Sequence, residues 1–518
     1  MSKDRSAATR GVQSFFAYQT PTGNHVAVCR GLSCELNGAP GLVARLEAQG
    51  TTSPVFCLGM CDRSPAILTA GEQVLTGADA LQWTCAAGPR LPATPLDIRN
   101  MSSRAIITER IGRGSHAALD RARAAGVYDA LAAVVAGRHG DVLAQIEASG
   151  EQGRGGAGYP TGAKWRACAS APGARRFVVA NGDEGDPGSF IDRVLLEDDP
   201  HAVLEGLLLC AFAVGATEAI VYVRAEYPRA RERMSQAITE ASAAGLLGAA
   251  VLGGSFGCDV RLVTGHGSYV CGEETALLNA IEGKRGEARV RPPYPAVAGL
   301  HGCPTVVNNI ETLVNVPWIV REGAAAFRKL GTQASPGTKA FCFNRGFARP
   351  GIVEAEFGVS LAELVHGQAG GSRDGRPLQA VVLGGPMGSV LRPDVLDVAV
   401  DFPALAARGI RLGHGGMVAI QSGTDLNAVL RSWAWFMVAE SCGRCAPCAL
   451  GSHRVAELVG RLRGDREDIE RAGAELGPLL DTIEAGSLCG FGQGIPGPIR
   501  ELLELRQQAA AAGPDGHD

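Results

Sequence analysis

Three thiols stand two residues apart each time in Ser441-Cys442-Gly443-Arg444-Cys445-Ala446-Pro447-Cys448, and Cys489 follows at a distance. Thiolates bind soft, redox-active iron, and two-residue gaps let the backbone curl around one cluster with its N–H groups toward the sulfides. The remote cysteine would close the site from another helix. A structural zinc site with four cysteines has the same spacing, so [4Fe–4S] and zinc both stand on spacing alone. A second group comprises Cys29 and Cys34, separated by four residues, and Cys57 and Cys61, separated by three. Both pairs follow strand-like runs, which places four thiolates on loops at one end of a small unit. That arrangement suits [2Fe–2S]; zinc or unligated thiols are the other readings. Cys85, Cys168, Cys210, Cys258, Cys271, Cys303 and Cys342 are isolated and read as small buried hydrophobes.

Gly153-Arg154-Gly155-Gly156-Ala157-Gly158 matches G-x-G-x-x-G. A dinucleotide fingerprint needs a strand before that loop, and here a helix over 141–148 precedes it, with Pro160 just after. An ordinary Rossmann loop is therefore not expected. Bare backbone still lets a phosphate or a flat ring come close, and N–H groups bind anions. Lys164 is placed to neutralise a phosphate, and Tyr159 to stack on a ring. Asn181-Gly182-Asp183-Glu184-Gly185-Asp186-Pro187 follows a strand; a solvated acidic loop and a ligand turn are both open readings. Glu273-Glu274 opens a helical run after Gly272, and Asn308-Asn309 is followed by Glu311 and Thr312. Acids and amides of this kind bind ribose hydroxyls, a flavin N–H or a nicotinamide amide, and acids near a flavin disfavour its reduced anion.

These groups need elements to position them. Residues 20–85 read strand–helix–strand, with strands at His25 to Val28 and Pro54 to Phe56, a helix at Gly41 to Gln49 and a hairpin near Pro65 to Leu68. Residues 86–104 carry Pro89, Pro92 and Pro95 and read as a linker. From 105 to 330 strands (Phe177 to Ala180, Ala219 to Val223) alternate with helices (Val203 to Val214, Arg229 to Ala244), the pattern of an α/β layer fold. From 335 to 425 short strand-like runs at Lys339 to Asn344, Ala380 to Leu383 and Met417 to Ile420 surround a helix near Leu361 to His366. From 425 onward helical patterns dominate, and Ala509 to Asp518 reads as a frayed tail.

Composition narrows the classes. The 518 residues suffice for three or four domains. A net charge of −4 gives no case for nucleic acid or an anionic membrane. Seventy glycines without a three-residue period exclude collagen and fit many tight turns. Glu205 and Glu218 interrupt the most apolar stretch, Val203 to Val223, so a membrane span is a poor reading. Met1 to Thr20 lacks the apolar core of an export signal, so a cytoplasmic location is expected. Fifteen cysteines there point to metal or redox chemistry rather than disulfides.

Five segments in order resemble the NADH-binding flavoprotein subunit of respiratory complex I and the diaphorase subunits of NAD-linked formate dehydrogenases and hydrogenases. They are Gly153 to Trp165, Asn181 to Pro187, Gly272 to Ala276, Asn308 to Leu313 and Glu440 to Cys448. The resemblance covers about 105–500. Cys57-Leu58-Gly59-Met60-Cys61, with the upstream pair, resembles the thioredoxin-like [2Fe–2S] subunit of the same complexes, here fused to the flavin subunit. It implies an α/β multidomain chain: a thioredoxin-like unit (20–88), a Rossmann-like FMN and NADH unit (105–332), a ubiquitin-like α+β unit (333–424) and a helical [4Fe–4S] bundle (425–508).

By position, the resemblance implies FMN contacts at Gly153, Arg154, Gly155, Gly156, Lys164, Asn181, Asp183, Glu184, Tyr269, Gly272, Glu273, Glu274, Val307, Asn308, Asn309 and Thr312. It implies NAD(H) contacts at Tyr159, Lys164, Asp186, Glu274 and Tyr294, with Glu184 and Glu274 positioning the nucleotide. Cys442, Cys445, Cys448 and Cys489 would hold [4Fe–4S], and Cys29, Cys34, Cys57 and Cys61 [2Fe–2S]. The implied activity is hydride exchange between NAD(H) and FMN and single-electron exchange with the clusters, without a catalytic side chain. The first expectation is the beta subunit of an NAD-dependent formate dehydrogenase, working with iron–sulfur and catalytic subunits. The alternatives are the flavin subunit of an NAD-reducing hydrogenase or of a complex I-type NADH:quinone dehydrogenase, or an electron-wiring subunit without nucleotide chemistry. Tyr159 and Tyr294 stand where the family often has phenylalanine, and Asp186 where it has glutamate. The Cys34-to-Cys57 spacing is shorter than in the separate thioredoxin-like subunits. Ser487 to Gly494 resembles the soluble diaphorases more than complex I.

Overall fold

The computed structural model describes residues 21, 25–48, 52–83, 95–112, 116–462 and 466–511. The readings made for Met1 to Thr20, Cys85, Pro89 and Pro92 lie outside these residues. In the first unit, β1 (Val26–Cys29) pairs in parallel with β2 (Thr52–Val55) and antiparallel with β3 (Ala66–Thr69), which continues into β4 (Val74–Thr76). The expected hairpin is thus β3–β4. The helix Ala39–Glu47 packs Leu42, Val43 and Leu46 on this sheet, the helical spacing read from the sequence. Part of the expected linker is a strand instead: β5 (Ile98–Asn100) pairs beside a later sheet, because an open edge there accepts its backbone groups.

The next unit is a four-stranded parallel sheet of β6 (Phe177–Gly182), β7 (Glu218–Val223), β8 (Asp259–Thr264) and β9 (Thr305–Asn309), in the order β8-β7-β6-β9. Along β6, Val178 and Ala180 enter one apolar core while Phe177 and Val179 enter another. Both faces are covered, which is why these strands read as continuous apolar runs. Helix Pro200–Val214 ends at Gly215 in the left-handed conformation (φ 71°). It crosses helix Ile310–Glu322 so closely that a Cβ at Gly206 would stand 2.0 Å from the Leu313 carbonyl oxygen. Gly206→Ala is expected to force the helices apart and cost about 1–3 kcal/mol in chemical denaturation; a variant as stable as the wild type would refute this close crossing.

The third unit contains β10 (Thr338–Phe343), β11 (Gly351–Glu356), β12 (Leu378–Leu383), β13 (Ser389–Leu391) and β14 (Gly416–Gln421). With β5 they form a mixed sheet in the order β13-β12-β14-β10-β11-β5. The short helix expected near 361–366 is a helical turn at Glu363–Gln368. Helices Leu426–Glu440, Ala446–Gly460, Arg466–Gly486, Gly490–Gly494 and Pro496–Ala511 complete the chain. The last helix runs to Ala511, two residues past the expected start of fraying. Among the described residues no helix is long and apolar enough to cross a membrane. Cys168, Cys210, Cys258, Cys271 and Cys342 are buried and Cys303 is half-buried.

Candidate flavin and cluster site

Open parallel sheets bind ligands beyond the carboxyl ends of their strands. Here the acidic turn leaves β6, Arg224 leaves β7, and Asn308–Asn309 end β9. The glycine loop runs from helix Val142–Ser149 to helix Thr161–Ser170, so a helix does precede it. Its backbone is used closely. A Cβ at Gly155 would stand 3.2 Å from the Asn309 Cβ. Gly156 (φ 113°) leaves only 2.9 Å to the Gly413 backbone, so no other residue fits there. The Arg154 amide donates to Thr312 Oγ1 (2.9 Å). The Arg154 side chain turns the other way: fully buried, it pairs with Glu151 at 2.9 Å and lies 4.7 Å over the Phe357 ring. Only its backbone belongs to the loop.

The other segments are stitched to this loop and to one another. Lys164 Nζ donates to the Val307 carbonyl and to Glu274, both at 3.0 Å. Trp165 Nε1 donates to Asn308 Oδ1 (2.8 Å). Asn181 Nδ2 donates to the Gly272 carbonyl (2.9 Å). A Cβ at Gly272 would meet the Asp183 carbonyl oxygen at 3.2 Å. Asn309 and Glu273 have ordinary structural duties as well. Each caps a helix, Asn309 accepting from Glu311 and Thr312 N–H and Glu273 from Thr275 and Ala276 N–H. Tyr159 and Tyr294 are largely exposed, at 55% and 57%. Arg291 lies between Glu273 (3.7 Å), Glu274 (3.5 Å) and the Tyr294 ring (5.9 Å), although no motif pointed to it.

Two carboxylate oxygens in this region, Asp183 Oδ2 and Glu273 Oε1, are buried without a hydrogen-bond partner among the described residues. Buried acceptors are rarely left so, and they fit the N–H and hydroxyl donors of a flavin mononucleotide. Burial holds Asp183 well above the usual carboxylate range, against the pull of Arg224 at 3.6 Å. Asp186 is also raised by burial and accepts a hydrogen bond from Tyr269 Oη. Glu184, in contrast, faces inward. It accepts from Ser189 Oγ (3.0 Å) and from the Asp192 and Arg193 amides (3.2 and 3.1 Å), and anchors the turn from behind.

Behind the turn sits His414, which the sequence reading missed because one histidine between glycines carries no signal. It lies 3.3 Å from Glu184, 3.5 Å from Asp192 and 3.9 Å from Glu311. Glu184, Asp192 and His414 offer ligand atoms within 4.8 Å of one another. Ser189 and backbone amides already occupy Glu184, so the group is better satisfied as an ion-paired imidazolium than as a metal cage. Burial alone lowers the pKa of His414, but Asp192 and Glu184 outweigh it and raise the value to about 9. A histidine raised on folding stabilises fully below its ordinary value near 6.5 and loses that contribution as pH rises through about 9. The gap in melting temperature between wild type and His414→Gln should therefore narrow between pH 7 and pH 9.5; a constant gap would refute the charged state.

Tyr269 leads from the acidic turn to the cysteines. Its amide donates to Glu440 (2.8 Å), and its ring lies 5.1 Å from Phe436 and 5.7 Å from Phe491. Glu440 stands two residues before Cys442, and Phe491 two after Cys489. Cys442, Cys448 and Cys489 are buried and Cys445 is half-buried. Burial raises the pKa of the Cys489 thiol, but the backbone N–H groups of Phe491 and Gly492 pull it down, an influence that favours a thiolate ligand. At the other end, Cys29, Cys34, Cys57 and Cys61 are all buried, with Cys57 and Cys61 sulfurs 3.9 Å apart. Their loop reaches the acidic turn directly: the Gly188 amide donates to the Cys61 sulfur (3.2 Å).

Comparison with known proteins agrees with this geometry. Residues 146–318 match the Nuo51 FMN-binding domain, and residues 428–511 match the NADH-ubiquinone oxidoreductase-F iron-sulfur binding region. The chain is 42% identical over 380 residues to the NADP-reducing hydrogenase subunit HndC of Solidesulfovibrio fructosivorans, covering 73% of this chain and 76% of that relative. It is 42% identical over 367 residues to an NADH-quinone oxidoreductase subunit of Rhizobium meliloti (strain 1021), covering 70% of this chain and 86% of that one. Its fold is similar to that of a chain in the air-oxidized NAD+-reducing [NiFe]-hydrogenase, with TM-score 0.80 and 31% identity, over 97% of this chain and 88% of that one. With motifs, geometry and relatives in agreement, the chain belongs to the NADH-ubiquinone oxidoreductase-F family of NADH dehydrogenase-type oxidoreductases, which joins an FMN-binding domain to a [4Fe–4S] region.

Proposed function

We propose that this chain is the diaphorase subunit of a multi-subunit NAD-linked oxidoreductase and that it carries a [2Fe–2S] cluster on Cys29, Cys34, Cys57 and Cys61 beside FMN and [4Fe–4S]. One observation carries the reading: four segments far apart in sequence are bonded together around buried acceptors that lack a hydrogen bond among the described residues. When bound, FMN supplies the conversion between two-electron nicotinamide chemistry and the one-electron chemistry of clusters. The protein's part is binding and orientation. Lys164, held by Val307 and Glu274, offers its charge to a phosphate. Asp183, Glu273 and Asn309 line the flavin side, while Tyr159, Tyr294, Asp186 and Glu274 take the nucleotide. Glu184 and the Arg154 side chain act from behind. Cys442, Cys445, Cys448 and Cys489 hold the outgoing [4Fe–4S] cluster.

Formate oxidation on a partner subunit is the first reading of the complex. Hydrogen oxidation is the second, favoured by the fold similarity to an NAD+-reducing hydrogenase chain over 97% of this sequence. Anaerobic purification with co-purifying subunits tests both levels. The expected result is bound FMN, NADH-dependent ferricyanide reduction, and NAD+ reduction driven by formate. Reduction driven by hydrogen alone would select the second reading. A chain without flavin would overturn the diaphorase assignment.

A further inference from the structure

We propose that Arg224 is a positioning residue: one buried guanidinium shared by the flavin-side acidic turn and the N-terminal cysteine loop, raising the reduction potential of the cluster on that loop. This rests on the [2Fe–2S] reading proposed above.

Arg224 follows the last residue of β7 and is 3% exposed. Its Nη1 donates to the carbonyl of Glu184 in the acidic turn. Its Nη2 donates to the carbonyl of Phe56, the residue before Cys57, and to Glu226 at 2.8 Å. Its Nε stands 3.6 Å from Asp183. The guanidinium lies 5.2 Å from the Tyr227 ring centroid. Tyr227 Oη donates to the Glu184 carbonyl (3.0 Å) and packs so tightly on Gly59 that a Cβ there would be 2.8 Å from that oxygen. One cation and one ring therefore bind the turn and the Cys57–Cys61 loop together.

The other charges at this loop are paired elsewhere. Arg193 grips the Gly59 carbonyl (3.0 Å) but is matched by Glu197 (3.1 Å), and Arg63 is matched by Asp62 (2.7 Å). Arg224 faces two acids, Asp183 and Glu226, and holds the carbonyl that precedes Cys57. Reduction adds one negative charge to a cluster already rich in thiolates. In a buried site a nearby cation stabilises that charge strongly. Without Arg224, Glu226 and the thiolates repel the incoming electron with nothing between them. The donors to sulfur are backbone amides, Gly59 to Cys57 (3.4 Å) and Gly188 to Cys61 (3.2 Å), so Arg224 adds charge rather than a sulfur hydrogen bond.

Anaerobic redox titration of the full chain, followed by electron paramagnetic resonance, tests this. In Arg224→Met the reduced-to-oxidised ratio of the N-terminal cluster at fixed potential should fall about tenfold, equivalent to about 59 mV for one electron. The C-terminal cluster should titrate as in the wild type. Arg224→Lys, which keeps the charge, should recover most of the shift. Arg193→Met, which loosens the same loop, should shift it less. Glu226→Gln should move the midpoint upward, and it carries the test should Arg224→Met fail to fold. An unchanged midpoint in Arg224→Met, equal shifts in the Lys and Met variants, an equal shift in Arg193→Met, or no rise in Glu226→Gln would overturn the role of Arg224 alone. A wild-type chain without a second cluster signal would overturn the [2Fe–2S] reading and this inference together.

Discussion

Cys445→Ser is expected to leave NADH-dependent ferricyanide reduction intact and to abolish electron delivery to partner subunits. The two activities separate because they need different parts of the chain. Ferricyanide takes electrons at the flavin, whose proposed contacts come from the glycine loop, the acidic turn and β9. None of these touches Cys445. Delivery to a partner needs the outgoing cluster. Among its four proposed ligands Cys445 is the half-buried one, while Cys442, Cys448 and Cys489 are buried. Cys445 also opens helix Ala446–Gly460, so its loss releases one corner without emptying the core beneath. A serine hydroxyl is a harder and weaker ligand for iron than a thiolate. The expected readout is loss of the [4Fe–4S] resonance with flavin content unchanged. Partner reduction at the wild-type rate would remove this cluster from the electron path.

The local signals in the sequence survive folding because they depend on few residues. Helix 142–149 before the glycine loop excluded an ordinary dinucleotide loop, and Gly156 does need its glycine against the Gly413 backbone. The alternating α/β pattern survives because β6 is covered on both faces, so its apolar run needs no alternation. Other features depend on distant partners. β5 exists only because the β11 edge, more than two hundred positions away, accepts its backbone. Arg154 and Glu184 sit within motifs, yet tertiary partners turn their side chains inward, and motif position does not encode direction. His414, Arg224 and Arg291 carry no spacing signal of their own. Each becomes informative only once acids from other elements surround it.

The clasp between the flavin unit and the mixed sheet is the place where one substitution should cost most. Lys339 on β10 is 1% exposed, and Glu311 in the first turn of helix Ile310–Glu322 is fully buried. Lys339 Nζ donates to Glu311 and to the Ala340 carbonyl (2.8 Å), and the Ala340 amide donates back to Glu311 (2.9 Å). Lys339→Met keeps the length of the side chain and removes its charge. It leaves the Glu311 carboxylate with one amide and His414 at 3.9 Å. Removing one partner of a buried pair costs about 3–5 kcal/mol, more than the pair's net contribution, because the other charge stays buried. The loss should reach the flavin site, since the same helix begins at Asn309 and carries Thr312, which holds the glycine loop at the Arg154 amide. Lys339→Met should therefore unfold at lower denaturant and release flavin in step. The double variant Lys339→Met/Glu311→Gln should recover most of the loss, because glutamine still accepts from Ala340 without a charge to bury. A single variant with wild-type stability, or a double variant as weak as the single one, would show that the pair is not what joins these two units.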